Sequence, residues 1–394
     1  MEIGVTFLRW QRYSIYWDFG QMYEENFIAA LKKYLNCNNR APAPSVTLLM
    51  KQKLFIFVVV TTALCLGSHI VMLSQDGSSA YSFLNVTTSA RIYGLGGINL
   101  TTIDDDIMTT DQNPALLGAE MTGQIGVNYM RYVGESNFAG VKYANAAGEH
   151  GAWSAGIQYF GYGSITMADE TGLITGKFSP KDVSFSGAFS YDIYGNWRGG
   201  IALKFLYSSY EQYSAMAVAT DLGLNYYDPD RDLSFSIVGA NLGGQVKRFA
   251  SQSDRLPVDL RLGWSQSFGE FPVRFSVTAW NLTKWHLPFV ETGDGNSNSG
   301  NGPRIKDTFS SNLFRHLIFG AELISSERFY LSLGYNYKTR SDMSTYSRSF
   351  ISGFSLGAGL NARRFNLSLA MAQPHTGATT IMLNLTLNIN DLIN

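Results

Sequence analysis

The densest chemistry in the chain is the run of three carboxylates Asp104, Asp105 and Asp106. Acids this close could ligate a hard divalent cation, but their spacing does not match the alternating ligands of a calcium loop, so a solvated turn is the plainer expectation. The histidines His69, His150, His286, His316 and His375 are scattered, and none pairs at metal-ligand spacing. A G-x-S-x-G elbow, a Walker loop and an S-x-x-K with a K-T-G partner are all missing; Lys338-Thr339-Arg340 comes nearest and stops at Arg. Leu95-Gly96-Gly97 is a fragment of a dinucleotide fingerprint without its third glycine or a βαβ setting. The expectation is therefore a protein without catalytic residue, cofactor or metal. Chemistry of another kind remains. Lys204, Asp221, Asp259, Arg261, Arg274 and Glu322 are charges set inside otherwise apolar alternating stretches.

Those charges can be placed only by the elements that carry them. From Gln124 onward the chain alternates with period two, the signature of strands with one apolar face. Ile381, Leu383, Leu385, Leu387 and Ile389 alternate with Met382, Asn384, Thr386, Asn388 and Asn390, and Phe271, Val273, Phe275 and Val277 with Pro272, Arg274, Ser276 and Thr278. About fourteen strands of about 9–13 residues follow, near the length that crosses a bilayer and longer than the strands of soluble domains. They begin near Gln124, Ser136, Gly151, Asp182, Arg198, Ala215, Asp232, Val258, Phe271, Asn312, Arg328, Phe350, Arg364 and Thr379. Short connections alternate with longer ones at 163–181, 242–257, 283–311 and 339–349, as short periplasmic turns alternate with long external loops. All six charges fall opposite the apolar stripe, hence in a lumen, since Arg or Lys on the lipid side costs roughly 2–4 kcal/mol. Asp259 and Arg261 with Arg274 on the next strand suggest a bracing ladder. Trp197, Tyr226 and Tyr227 at one end, and Tyr129, Tyr132, Trp280 and Trp285 at the other, suggest two aromatic girdles.

Composition agrees. Charged residues make up 15% of the chain, with 39 Gly, 25 Phe and 22 Tyr. Soluble domains carry about 25% charge. A net charge of −1 offers no footprint for nucleic acid. Residues 51–67 hold a basic entry and an apolar core of signal-peptide length, which makes 50–74 a signal peptide and 1–49, ahead of Met50, an extension outside the fold. Cleavage after Ser74, or after Gly67, removes both Cys37 and Cys65. The fold class expected is all-β: a transmembrane antiparallel β-barrel over 124–394. Residues 75–123 precede it as an N-terminal plug segment, because a barrel of this size has a lumen its own side chains do not fill. Within that segment Ser89, Arg91, Gly96, Gly97, Asp104, Asp105, Asp106, Asn113 and Pro114 mark the plug. Arg91 and the three acids are its candidate partners for Asp259, Arg261 and Arg274.

The stretch YSFLNVTTSARIYGLGG (81–97), followed by DDD (104–106) and NPALL (113–117), resembles the N-terminal signature of the PorV/PorQ family of type IX secretion barrels, distant relatives of FadL-type barrels. NLTKWHLPF (281–289) and RHLIFGAELISSERFYLSLGYNY (315–337) resemble the same family on its PorQ side. The resemblance covers 78–394. It implies the outer membrane of a Bacteroidetes cell, contact with outer-membrane lipid and lipopolysaccharide, and a non-enzymatic part in protein secretion. That part is to hold PorZ at the cell surface beside PorU and PorV, with external loops 283–311, 242–257 and 163–181 as the docking surface. The rival reading is a FadL-like channel for hydrophobic small molecules. An apolar lumen pocket with a lateral opening would favour the rival; inward residues rich in Ser, Asn, Gly and charge disfavour it.

Overall fold

The computed structural model describes residues 81–394 apart from 169–172, 250–253, 269–271, 292–303, 327, 343–350, 363, 376–377 and 394. The expected N-terminal extension with Cys37, the expected signal peptide with Cys65, and the glycine-rich centre of the 283–311 loop lie outside the described residues.

Eighteen strands follow in order. The first nine are β1 (Gln124–Arg131), β2 (Asn137–Ala146), β3 (Gly151–Gly161), β4 (Ile165–Ala168), β5 (Ile174–Phe178), β6 (Lys181–Tyr194), β7 (Trp197–Tyr210), β8 (Tyr213–Asp228) and β9 (Leu233–Lys247). The rest are β10 (Asp259–Ser267), β11 (Val273–Ala279), β12 (Phe289–Glu291), β13 (Arg304–Lys306), β14 (Leu317–Ser326), β15 (Phe329–Asn336), β16 (Phe354–Asn361), β17 (Phe365–His375) and β18 (Ala378–Asn388). Fourteen of them close a barrel in chain order, each antiparallel to its neighbours, and β1 pairs with β18 at the seam from Gln124↔Asn388 to Arg131↔Ile381. The two hairpins β4–β5 and β12–β13 stand apart in external loops. Closure leaves no unpaired edge, the condition for a sheet to sit in hydrocarbon.

Period-two alternation becomes an inside and an outside. On β18, Thr380, Met382, Asn384 and Thr386 are buried while Ile381 and Leu383 are exposed. The same outward face carries Phe185, Leu203, Phe235, Leu262, Leu333 and Leu369, all exposed. A continuous apolar belt on a closed antiparallel barrel is the exterior of an outer-membrane protein, where lipid covers what water would reject.

Some strand limits differ from the sequence reading. Residues Phe309–Arg315 form a helix, so β14 starts at Leu317 rather than near Asn312. Thr308 caps that helix, its hydroxyl accepting from Ser311 N at 3.4 Å. β16 starts at Phe354 rather than Phe350, after the helix Tyr337–Asp342. β8 and β9 run 16 and 15 residues, longer than expected, and rise past the membrane on the side of the long loops.

Segment 81–123 lies in the lumen. It begins at the long-loop end, where Gln245 Nε2, high on β9, donates to the Tyr81 hydroxyl at 3.0 Å. It descends through the helix Ala90–Gly94, reaches the short-turn end at Asp104–Asp106, and enters β1 at Gln124. Short turns mark the periplasmic side, so the chain's first described residues face outward. A Ser82→Cys variant is therefore expected to react with a membrane-impermeant maleimide on intact cells, since Ser82 is exposed at that end. Labelling only after lysis would reverse the orientation.

Candidate functional site

The Ala90–Gly94 helix divides the lumen into two chambers. Ser89 caps it, its hydroxyl accepting from Ile92 N at 3.3 Å, and Gly96 and Gly97, at φ 102° and 91°, turn the chain out of it. The turn must be glycine at Gly96: a Cβ there would lie 2.3 Å from Ile318 Cγ2. Tyr93 faces the outer chamber and Arg91 the inner one. Ala90 N donates to Asn384 Oδ1 at 2.9 Å, Asn384 Nδ2 donates to Thr88 O at 2.7 Å, and Ser355 Oγ donates to Gly94 O at 2.9 Å.

Arg91 is the electrostatic centre. Its Nε and Nη2 donate to the two carboxylate oxygens of Glu322 at 2.7 and 2.9 Å, and Nη1 donates to Asp104. Its guanidinium lies 4.2 Å from the Tyr330 ring centroid. A bidentate, stacked Arg is the arrangement in which a buried charge is best satisfied. The partner of Arg91 among the lumen charges is therefore Glu322, on β14, and not the expected Asp259, Arg261 or Arg274.

The expected ladder does not form. Asp259 and Arg261 pair with each other on β10 at 2.8 Å, and Arg261 Nη2 reaches Asn85 of the plug at 2.7 Å. Arg274, on β11, donates from Nε and Nη2 to the two oxygens of Asp232 at 2.9 Å each, and stands 3.6 Å from Glu322. The physical reason is height. In antiparallel neighbours the start of β10 lies at the outer end and the start of β11 at the periplasmic end, so Arg261 and Arg274 are not neighbours. Lys204 bonds Asp221 at 2.6 Å. A register shift between Thr220 and Leu222 lets Asp221 also accept from Asn241 N at 2.7 Å.

The three adjacent acids separate in role. Asp104 binds Arg91, Asp105 is exposed, and Asp106 is buried, so they are no solvated turn. Asp106 caps the 3₁₀ turn Ile107–Asp111 through Met108 N at 3.0 Å and accepts from Thr386 Oγ1 at 2.6 Å. Among the described residues no group of three acids or histidines is arranged to hold a metal. Asn113 and Pro114 dock on β7–β9. Asn113 Nδ2 donates to Leu100 O at 2.8 Å and Ser236 Oγ at 3.1 Å, while its Oδ1 accepts from Ala115 N at 3.0 Å.

Further contributors were not singled out from the sequence. Lys142 Nζ lies 3.6 Å from Asp111, Gln158 donates to Asp111 at 2.7 Å, and Arg198 joins Asp192 at 2.6 Å with Glu120 at 3.1 Å. Lys142, flanked by Val141 and Tyr143, sits at an inward parity position on β2, so the signal was available. Asp232 lies in the β8–β9 turn. Burial pushes its carboxyl up, but hydrogen bonds from Arg274, Ser267 and Tyr227 outweigh that and hold it below the usual carboxylate range. Tyr227 therefore serves the lumen and not the girdle. Tyr132 and Trp280 turn inward likewise, Tyr132 onto Phe160 at 5.6 Å between ring centroids. Trp197 and Tyr226, 5.1 Å apart, and exposed Tyr129 remain on the outer face.

Above the helix is a cavity of about 360 Å³ lined by Phe83, Tyr93, Tyr132, Phe160, Tyr162 and Trp280. Below it is a polar vestibule of about 800 Å³ that includes Arg91, Asp104, Glu120, Arg274 and Arg364. The wall between them is the plug. The barrel seams themselves are paired strand to strand all the way round.

No family model matches this chain, and no curated protein matches it. Among solved structures it is similar to the Pseudomonas putida toluene transporter TodX, at 13% identity over 76% of this chain and 97% of that one, TM-score 0.46. It is also similar to a Pseudomonas aeruginosa FadL homologue, at 11% identity over 77% of this chain and 98% of that one, TM-score 0.43. The CymD monoaromatic hydrocarbon channel stands at 12% identity over 77% and 98%, TM-score 0.43. Values this low transfer no residue roles.

Proposed function

We propose that this outer-membrane barrel captures a small hydrophobic molecule at its outer mouth and admits it when the plug shifts, as a FadL-like channel for hydrophobic small molecules does. The observation that carries this reading is the aromatic-lined cavity seated on the plug. A concave recess with mostly apolar walls and a few polar groups is what a small ligand needs. The floor is the Ala90–Gly94 helix, and the turn at Gly96 and Gly97 supplies the backbone freedom for it to move. The lumen as it stands is shut, because below Tyr93 the route meets the paired charges of Arg91 and Glu322, which an apolar solute cannot solvate.

The test is titration of the protein in nanodiscs with octan-1-ol. A saturable change in tryptophan emission is expected, lost in Trp280→Phe and weakened about fivefold in Phe160→Ala, as removal of about 1 kcal/mol of aromatic contact implies. A flat titration rejects the reading.

A second reading, the type IX attachment anchor, is favoured by the external structure over β11, β14 and β15. The resembling segments 281–289 and 315–337 meet there. The His316 ring lies between the backbone oxygens of Trp280 and Trp285, with Nδ1 2.8 Å and Nε2 3.1 Å away. Asn312 joins Asp307 at 2.7 Å and Leu287 N at 3.1 Å. A knit platform is pre-organised for a partner, here PorZ, held beside PorU and PorV. Deletion of loop 283–311 is expected to release PorZ from the cell surface, and wild-type retention rejects that docking site.

A further inference from the structure

Asp182 is a carboxylate in an unusual position. It is the second residue of β6, faces the lumen near the outer end, and is 1% exposed. Its Oδ2 accepts from the hydroxyls of Tyr162 at 2.6 Å and Tyr210 at 3.0 Å. Ser208 stands opposite Asp182 on β7 with its hydroxyl toward the carboxyl group, but Oδ1 makes no hydrogen bond of normal geometry, and neither does the buried Ser184 Oγ two residues along the same face. No cationic side chain among the described residues pairs with it, whereas every other buried lumen acid named above except Asp106 has such a partner.

Around this carboxylate stand aromatic rings. Phe160 and Tyr162 lie 4.8 Å apart, Tyr162 and Tyr210 5.7 Å, and Tyr210 and Phe249 5.2 Å. Phe160 and Tyr162 also line the outer cavity, so the carboxylate lies directly behind the cavity wall with the Tyr162 ring between. Tyr162 follows the end of β3 and sits between Gly161 and Gly163, the latter at φ 83°, and its backbone N–H donates to Pro180 O at 3.1 Å.

A buried carboxylate without a cation, beside a cluster of aromatic rings, is the complement of an organic ammonium. We propose that the outer cavity takes an amphiphilic amine. Its apolar body occupies the aromatic recess, and its ammonium replaces the Tyr162 hydroxyl against Asp182. Three ammonium donors would then meet Asp182 Oδ1, Asp182 Oδ2 and Ser184 Oγ. This rests on the cavity being a ligand site and names the ligand class.

Octylamine and octan-1-ol share a chain and differ in charge, so they separate the two ideas. At pH 7, in nanodiscs, octylamine is expected to bind about tenfold tighter than octan-1-ol. Asp182→Asn is expected to erase that preference while leaving octan-1-ol binding in place, which also reports that the variant folds. Ser184→Ala should reduce the preference in part, and Tyr162→Phe, which removes one of the two hydroxyls held by Oδ2, should raise it. Equal affinities in the parent protein, or an unchanged preference in Asp182→Asn, overturn the proposal and leave the cavity reading standing. Absence of binding by both ligands removes the cavity reading, and this proposal with it.

Discussion

A Glu322→Ala barrel is expected to be less stable by about 3–5 kcal/mol, the effect of stripping one partner from a buried ion pair. Glu322 is 2% exposed and Arg91 4%. Both carboxylate oxygens are committed to Arg91, and Arg274 stands 3.6 Å away, so the substitution leaves two guanidinium groups facing each other across the lumen. Asp104 alone then holds Arg91. Helix Ala90–Gly94 loses its tie to β14, and the two chambers should join. Two measurements check this: the temperature at which the folded band converts on unheated-versus-heated gels, and the uptake of small sugars by reconstituted liposomes. The Arg91→Ala, Glu322→Ala double variant should recover part of the loss, because the buried guanidinium deprived of Glu322 is gone and only the less buried Asp104 loses its partner. A single variant with parental stability and a closed lumen would remove the ion pair from its central place.

The second large effect is expected at Gly200. A Cβ there would lie 2.3 Å from Pro114 C and 2.5 Å from Pro114 O, which are plug backbone atoms. Across the seam, a Cβ on Gly223 would lie 2.2 Å from Asn113 Oδ1. The Asn113-Pro114 turn thus rests on bare backbone of β7 and β8. Gly200→Val must push it away, with overpacking that costs about 1–3 kcal/mol and the loss of the Asn113 hydrogen bonds in addition. Steady current through single barrels in planar bilayers is the expected sign. Gly244→Val is the control, since nothing lies within 4 Å of that position. Equal, silent bilayers for both variants would count against the turn as an anchor.

Period two made most of this barrel legible before any coordinates. Each strand's parity separates lipid-facing from lumen-facing residues, and Lys204, Asp221, Asp259, Arg261 and Glu322 are buried on the inner face as read. Parity says nothing of height, and pairing in the lumen is decided by height. That is why Arg261 and Arg274 were joined in the sequence reading and are separate in the fold. Parity also stops where strands stop. Tyr132 and Trp280 follow β1 and β11 by one residue, beyond the reach of alternation, and they turn inward to roof the plug. The Phe309–Arg315 helix was readable from its Thr308 cap, but Leu313, Leu317 and Phe319 continued an apolar rhythm that passed for strand. The Asp182 site lay in plain view at an inward position. Its significance depends on Tyr162 and Tyr210 arriving from neighbouring strands.

The seam has a consequence for how the molecule is made. β18, the last strand, pairs with β1, the first, and the inner face of β18 is also what grips the plug. Thr380 meets Tyr93, Asn384 meets Thr88 and Ala90, and Thr386 meets Asp106. Residues 81–123 precede every described strand of the barrel and touch the inner face of β18 from Thr380 to Thr386. In the closed seam β18 therefore touches residues 81–123 along its length as well as β1. Without residues 81–123 in the lumen, Asn384 and Thr386 would exchange these partners for water. The contacts that close the cylinder and the contacts that seat its content are thus carried by the two edges and the inner face of one strand.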